Sequence, residues 1–258
     1  MELIVLGSGT AVPHPLRSSA GFWLQTGSGS LLLDLSASAV HRMAEEHLDW
    51  ANLDAIWISH FHMDHCAGIA PFLFATRGAP VARERTKPLR IFGAAGLRRL
   101  VEAFDVAAGG KLLDQHFPIE IIEIEELEKF AIFDDVEAVA CSTPHTPESH
   151  AIHLREKDTT FVYTADTGFD ERLATFARRV DLLVIESSFV RTKPVEKHLE
   201  LAEAIHLIRR AEPGRAMLTH FYSKWDDIDF EKEVGRLDPG CEVIEAVDGL
   251  RVIIFPTN

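Results

Sequence analysis

The sequence predicts a mixed α/β (α+β) protein that folds as a four-layer αββα sandwich. Short apolar strands alternate with helices along all 258 residues, no low-complexity linker interrupts them, and the region 119–165 is rich in strands. This order fits neither a regular βαβ repeat nor an all-β fold, whereas two β-rich halves with helices outside them account for it. We therefore expect a single domain that spans residues 1–258.

The first half begins with three strands, the second and third of which are joined by the glycine-rich turn 27–29. A helix follows at Ala37–His47, for which Ser36 is the expected N-cap, and further helices are expected at Gly68–Arg77 and Ala94–Val106. The strands of this half are expected at Leu3–Leu6, Gly21–Thr26, Ser30–Leu35, Ile56–Ser59 and Leu89–Phe92.

In the second half, a hairpin turn at residues 156–158 joins two strands, and Asp248-Gly249 is predicted to turn a final hairpin. Helices are expected at Asp170–Arg178 and Leu199–Arg210. The strands are expected at Ile119–Ile124, Val136–Ser142, His150–Leu154, Phe161–Ala165, Leu182–Ile185 and Ala216–Thr219.

Charge and composition restrict the partners and the cellular setting. The net charge of −14 opposes a long contact with nucleic acid, which usually requires a basic face. The main basic cluster is either a solvated loop with a helix end or a rim that attracts phosphate, and it consists of Arg77, Arg83, Arg85, Lys87 and Arg90. There is no apolar run long enough to span a membrane, and Glu2 stands where a signal peptide is basic. Three widely spaced cysteines favour a reducing, cytoplasmic location.

The strongest functional signal is the run His60-Phe61-His62-Met63-Asp64-His65, directly after a buried strand. Alternate residues of extended chain point the same way, so the first two histidines can reach one cation together. Asp64 and His65 follow where the chain should turn into a helix, and they can reach a neighbouring position. We expect Phe61 and Met63 to pack inward. Four ligand-type side chains in six residues indicate a metal site.

Three further polar residues follow predicted strands, at His145, Asp166 and His220. Taken singly, each could equally be a capping or a core polar group. Together with the first motif they provide seven ligands, which is the number that two metal ions need while positions stay open for water and substrate.

The H-x-H-x-D-H run, followed by a His, an Asp and a His at strand ends, resembles the metallo-β-lactamase superfamily. Within it the chain is similar to the ribonuclease Z group of phosphodiesterases, through residues 6–13, residues 31–34, His198 and the run Leu218-Thr219-His220-Phe221. The sequence departs from that group at Leu35 and Ser36, where a Cys or Ala and then a Gly usually follow the aspartate. The resemblance covers nearly the whole chain and implies the superfamily's sandwich fold.

The resemblance also implies a role for each residue. Two divalent metal ions are expected, zinc first and manganese or iron as alternatives. Asp64 and His198 are the residues expected to take part in catalysis, the latter as a proton donor to the leaving oxygen or as a phosphate contact, or else as a solvent-facing residue. Asp34 is expected to orient a ligand, or to be a buried structural aspartate. His60, His62 and His145 would bind one metal, Asp64, His65 and His220 the other, and Asp166 both.

Transfer-RNA-processing members usually carry a long arm, whereas only 21 positions separate His145 from Asp166 here, which leaves room for one hairpin. The sequence therefore favours hydrolysis of small or cyclic phosphodiesters by a hydroxide that bridges the metals, on a possible homodimer. The alternatives are a ribonuclease Z-type tRNA 3′-endonuclease, another hydrolase (thioester, lactone or sulfate ester) and a non-catalytic regulatory protein on the same scaffold.

Overall fold

Two seven-stranded β-sheets form the centre of the molecule in the computed structural model, which describes residues 1–257. The first sheet has the strand order β14-β1-β2-β3-β4-β5-β6, and the strands from β3 to β6 are parallel to one another. Its strands are β1 (Glu2–Gly7), β2 (Gly21–Gln25), β3 (Ser30–Leu33), β4 (Ala55–Ile58), β5 (Leu89–Gly93), β6 (Ile119–Glu123) and β14 (Arg251–Ile253).

The second sheet has the order β13-β12-β11-β10-β9-β8-β7, in which the four strands from β10 to β13 are parallel. The other strands, β7 to β9, form an antiparallel meander with β10. Its strands are β7 (Lys129–Phe133), β8 (Val136–Ser142), β9 (His150–Glu156), β10 (Thr159–Tyr163), β11 (Leu182–Glu186), β12 (Arg215–Thr219) and β13 (Glu242–Glu245).

Helices cover the outer faces of both sheets. Ser36 caps the first helix as the sequence predicts, because its hydroxyl accepts a hydrogen bond from the Ala39 backbone N–H. The helices are α1 (Ala37–Glu45), α2 (Met63–Cys66), α3 (Ile69–Gly78), α4 (Leu97–Ala107), α5 (Glu171–Phe176), α6 (Leu201–Ala211) and α7 (Phe230–Gly235).

Two apolar cores hold these layers together. The larger lies between the sheets and continues under α6, and the smaller lies between the first sheet and helices α1, α3 and α4. Across the inter-sheet core, Phe22 of β2 meets Tyr163 of β10 edge to face, with 5.3 Å between the ring centroids. The predicted αββα sandwich is therefore confirmed.

One predicted element is wrong. Asp248-Gly249 does not turn a hairpin, because β13 pairs with β12 in the second sheet and β14 pairs with β1 in the first. The chain crosses between the sheets here, and the Asp248 carboxylate accepts hydrogen bonds from the backbone N–H groups of Ser8 and Ser18. Those long-range contacts fix the segment, and an Asp-Gly pair cannot reveal them.

No helix among residues 1–257 combines the length and the apolar character that a membrane span requires.

Candidate metal centre

All seven predicted ligand side chains lie together, at one edge of the sandwich. Strand β4 of the first sheet ends there, as do β8, β10 and β12 of the second sheet, and each strand is followed within a few residues by its ligand-type side chains. Three overlapping groups form, within each of which the possible ligand atoms are within 4.8 Å of one another. The first is His60, His62, His145 and Asp166, the second is Asp64, His65 and His220, and the third is Asp166, His198 and His220.

The first motif divides between a strand end and a short helix. His60 follows β4 and is fully buried, whereas His62 is exposed and immediately precedes α2, which carries Asp64 and His65. The Cβ of any larger residue at Gly68 would lie 2.3 Å from the Ser36 carbonyl oxygen, so glycine lets the chain after α2 pack tightly against the loop after β3.

Asp166 faces histidines of the first group with one carboxylate oxygen and histidines of the second group with the other. Its Oδ1 lies 3.3 Å from Nε2 of His65 and 3.3 Å from Nε2 of His220. Its Oδ2 lies 3.8 Å from Nε2 of His60 and 3.7 Å from Nε2 of His145. Two ligand atoms at about 2.0–2.1 Å from one tetrahedral zinc ion are roughly 3.3–3.4 Å apart. The spacing of these side chains therefore fits two cations with one carboxylate between them.

In the four buried histidines of the site, Nδ1 has a hydrogen-bond partner and Nε2 faces Asp166. Nε2 of His145 is also 3.1 Å from Nδ1 of the exposed His62. His145 donates from Nδ1 to the Lys197 carbonyl at 2.8 Å, and Nδ1 of His220 is 2.9 Å from the Ser188 hydroxyl. The buried Nε2 atoms of three rings have no hydrogen-bond partner within residues 1–257, and these are His60, His65 and His220. Buried polar atoms are normally satisfied, so orphaned nitrogens that face two carboxylates fit a metal site.

Charge in the site also suits cations. Burial lowers the pKa of His60 to about 2 and lowers that of His145 as well, so both rings are neutral and can donate a lone pair. Burial raises the pKa of Asp166, but His220 and His65 outweigh it, and the net pKa is well below the usual range. Burial lowers the pKa of His65, but Asp166 and Asp34 outweigh it and raise the pKa well above its usual value. The carboxylates that raise the pKa of His65 would equally stabilise a bound cation.

Asp34 lies beneath the site and is fully buried. Its Oδ2 accepts hydrogen bonds from the Ser59 hydroxyl, from Nδ1 of His65 at 2.7 Å and from the Tyr163 hydroxyl at 2.8 Å, while its Oδ1 accepts from the Ser59 N–H. The contact with His65 fixes that ring with Nε2 toward Asp166. The sequence reveals Asp34, but it gives no sign that Tyr163 reaches it from the other sheet.

Sequence reasoning also missed Glu186, the last residue of β11. This carboxylate is buried and accepts hydrogen bonds from the Thr167 and Leu199 N–H groups, from the Ser188 hydroxyl, and from Nδ1 of His198 at 2.9 Å. An acidic residue that ends an otherwise apolar strand is the signal that could have found it.

His198 is placed at the metal centre rather than in solvent. Its ring centroid is 4.8 Å from that of His145 and 5.4 Å from that of His220, against which it stacks. Burial lowers the pKa of His198, but the hydrogen bond and the charge of Glu186 outweigh it and raise the pKa overall. With Nδ1 bound to Glu186, the Nε2 atom remains available to a substrate.

The two residues between the ligands differ. Phe61 is half-buried and packs against the smaller core, as predicted. The same prediction for Met63 is wrong, because 54% of its surface is exposed at the start of α2.

The basic stretch 77–90 lies away from the site. Arg85 is buried and donates to three backbone carbonyls, while Arg77 and Lys87 pair with Asp114 and Asp54. The stretch runs into the amino end of β5, beside the amino end of β4, whereas the metal centre lies beyond the carboxyl end of β4. These contacts support a structural role for the stretch.

Comparisons with known proteins identify the family and the fold of the chain. The family model described as Anti-Pycsar protein Apyc1 matches residues 1–238. Ribonuclease Z of Shouchella clausii (strain KSM-K16) is 26% identical in an alignment 300 residues long, gaps included, that covers 95% of each chain. The metallo-β-lactamase fold protein YhfI from Bacillus subtilis superposes with a TM-score of 0.82 at 23% identity, over 98% of this chain and 99% of YhfI. A diphosphatase from the PhnP family superposes with a TM-score of 0.72 at 17% identity, over 99% of this chain and 98% of the other. The chain therefore belongs to the Anti-Pycsar protein Apyc1 family and is a hydrolase of the metallo-β-lactamase superfamily, in its ribonuclease Z-like group.

Proposed function

We propose that this protein hydrolyses small or cyclic phosphodiesters with two divalent metal ions, zinc first among them. His60, His62 and His145 hold one ion, Asp64, His65 and His220 hold the other, and Asp166 contacts both. The paired spacing around Asp166 and the unpartnered Nε2 atoms support this assignment. Imidazole and carboxylate donors also accept manganese or iron, and the metal supplied in the cell decides among them.

When bound, the two cations would supply a water activated for attack at neutral pH and would neutralise the phosphate charge. The protein's own side chains supply the remaining functions. Asp64, whose Oδ2 is 3.6 Å from the Nε2 atoms of both His65 and His220, would hold the second metal ion together with them. His198, oriented by Glu186, donates a proton to the leaving oxygen through Nε2.

The observation that carries the substrate class is the short connection between His145 and Asp166. Every residue from 145 to 166 is described, and the segment consists of one loop and the β9–β10 hairpin, which turns at residues 157–158. No arm emerges there that could hold a large RNA at a distance from the metals. A site of this kind can recognise one phosphodiester and its immediate surroundings, and the net charge of −14 opposes a polyanion.

The second candidate is cleavage of transfer-RNA precursors, which the similarity to Ribonuclease Z of Shouchella clausii favours. Only the second function requires the protein to hold a long stretch of RNA. The structure offers residues 77–90 as its densest basic stretch, and that stretch lies at the opposite end of the first sheet.

The test compares substrates on the metal-loaded protein. We expect bis(p-nitrophenyl) phosphate or a cyclic nucleotide to be hydrolysed with a higher kcat/KM than a tRNA precursor, a thioester or a lactone. His60→Gln should abolish the activity, and His153→Gln, a change of a half-buried histidine on β9 outside the site, should preserve it. Site-specific cleavage of the tRNA precursor with little turnover of small diesters would refute the proposal in favour of the nuclease.

A further inference from the structure

A pair of stacked aromatic rings lies beside the metal centre and has no part in the chemistry described above. The rings of Phe189 and Tyr222 are nearly parallel, with an interplanar angle of 11° and 4.9 Å between their centroids. Both residues are only half-buried, so part of the pair reaches solvent. Phe189 also meets His198 edge to face, with 6.3 Å between the centroids. The pair is therefore next to the residue that faces the leaving oxygen.

The strands that form the metal centre also place this pair. Phe189 follows β11 by three residues and Tyr222 follows β12 by three residues, and these two strands are parallel neighbours. The backbone of Phe189 exchanges two hydrogen bonds with Leu199 and Leu201, which flank the segment after His198. The Tyr222 N–H donates to the Ser188 carbonyl at 3.4 Å, so the backbone of both aromatic residues is hydrogen-bonded beside the site.

An aromatic pair that is partly exposed and that borders His198 suits a wall of the substrate cleft better than an interior filler.

We infer that Phe189 and Tyr222 form a platform that receives a planar ring carried by the phosphate ester, and so determine substrate specificity. The inference rests on the proposed function, because it assumes that a phosphate ester binds at the metals. An exposed aromatic pair favours another aromatic ring over a saturated ring of the same size, since stacking adds to the burial of apolar area. The other polar groups near the site would contribute equally to the affinity for both kinds of ligand.

The experiment compares two competitive inhibitors of bis(p-nitrophenyl) phosphate hydrolysis. Benzyl phosphate and cyclohexylmethyl phosphate carry the same charge and a six-membered ring on the same linker, and only the first ring is planar. We expect zinc-loaded wild-type protein to bind benzyl phosphate about 2- to 10-fold more tightly, in inhibition and in calorimetry. Phe189→Leu and Tyr222→Leu should bring that ratio close to one, whereas Tyr222→Phe, which keeps the ring, should preserve it.

Phe176→Leu is the matched control, because Phe176 is a half-buried phenylalanine on α5 that lines a different surface depression with Lys129 and His153. It should leave the ratio unchanged. Equal binding of the two inhibitors by the wild type, or a ratio that survives both leucine variants, would overturn the inference. Calorimetry needs no turnover, so a ring preference without diester hydrolysis would contradict the proposed function alone.

Discussion

Replacing Asp34 with asparagine should weaken both the fold and the metal site, by amounts that follow from its contacts. The carboxylate accepts four hydrogen bonds, from two donors of Ser59, from Nδ1 of His65 and from the Tyr163 hydroxyl, at 2.7–2.8 Å. Asparagine offers one acceptor oxygen, so its NH₂ group must face at least one buried donor. We expect a loss of about 3 kcal/mol in the free energy of unfolding, from one mismatched pair and a weakened charge-assisted bond to His65.

For a chain of this size, that loss lowers the Tm by roughly 6–12 °C in a thermal melt of the metal-free protein. Because Asp34 orients His65, zinc affinity should also fall, by about 10- to 100-fold in a competition titration with a chelator. Asp181→Asn is the matched control. Asp181 is also buried, also accepts four hydrogen bonds, and precedes the amino end of β11, opposite the site. It should lower the Tm without changing zinc affinity. Unchanged zinc affinity in Asp34→Asn would refute the orienting role.

Three further outcomes are expected. Asp166→Ala should abolish turnover and loosen both metals, because it removes the carboxylate between them; two tightly retained metals, measured by elemental analysis, would contradict this. His198→Ala should keep both metals and lower kcat by about 100- to 10,000-fold. The loss should be smaller for esters of p-nitrophenol, because p-nitrophenolate leaves without a proton. An equal loss on poor and good leaving groups would indicate that His198 positions the phosphate instead. Burial raises the pKa of Asp181, but hydrogen bonds from Thr257 and Thr160 outweigh it and lower the pKa overall. The stability that Asp181 contributes should therefore be complete above its unfolded pKa of about 4 and be lost as pH falls through the lower folded pKa. The free energy of unfolding of Asp181→Asn should therefore fall less steeply at acid pH than that of the wild type. An unaltered pH dependence would show that the hydrogen bonds to Asp181 do not select its ionised form.

The sequence predicted the fold where apolar periodicity and turn chemistry act locally. The glycine turn after β2 and the turn at residues 157–158 each join antiparallel neighbours, as expected. The sequence failed where long-range contacts decide. It did not reveal β7, an edge strand whose apolar run Phe130–Phe133 is short and flanked by charged residues, or the short helix α7. The prediction for Asp248 was also wrong, because its carboxylate accepts hydrogen bonds from the loop between β1 and β2, at Ser8 and Ser18, instead of forming a hairpin turn.

The candidate ligands were predictable because four of them cluster in one motif and the other three follow predicted strands. The sequence did not predict the residues that position these ligands. Tyr163 and Glu186 each end a buried strand, and the acidic side chain of Glu186 is a signal, but the partners of both residues come from other elements of the chain. The basic stretch 77–90 has a composition that suggests phosphate binding, but the structure gives it other contacts. Its Arg85, Arg77 and Lys87 side chains bind backbone carbonyls and nearby carboxylates.

The central claim is that the seven side chains hold two metal ions. The most direct test is an anomalous difference map, recorded at the zinc absorption edge, from crystals of the zinc-loaded protein. We predict two peaks, one between His60 and His145 and the other between His65 and His220, with Asp166 in contact with both. A single peak, or peaks away from Asp166, would contradict the account.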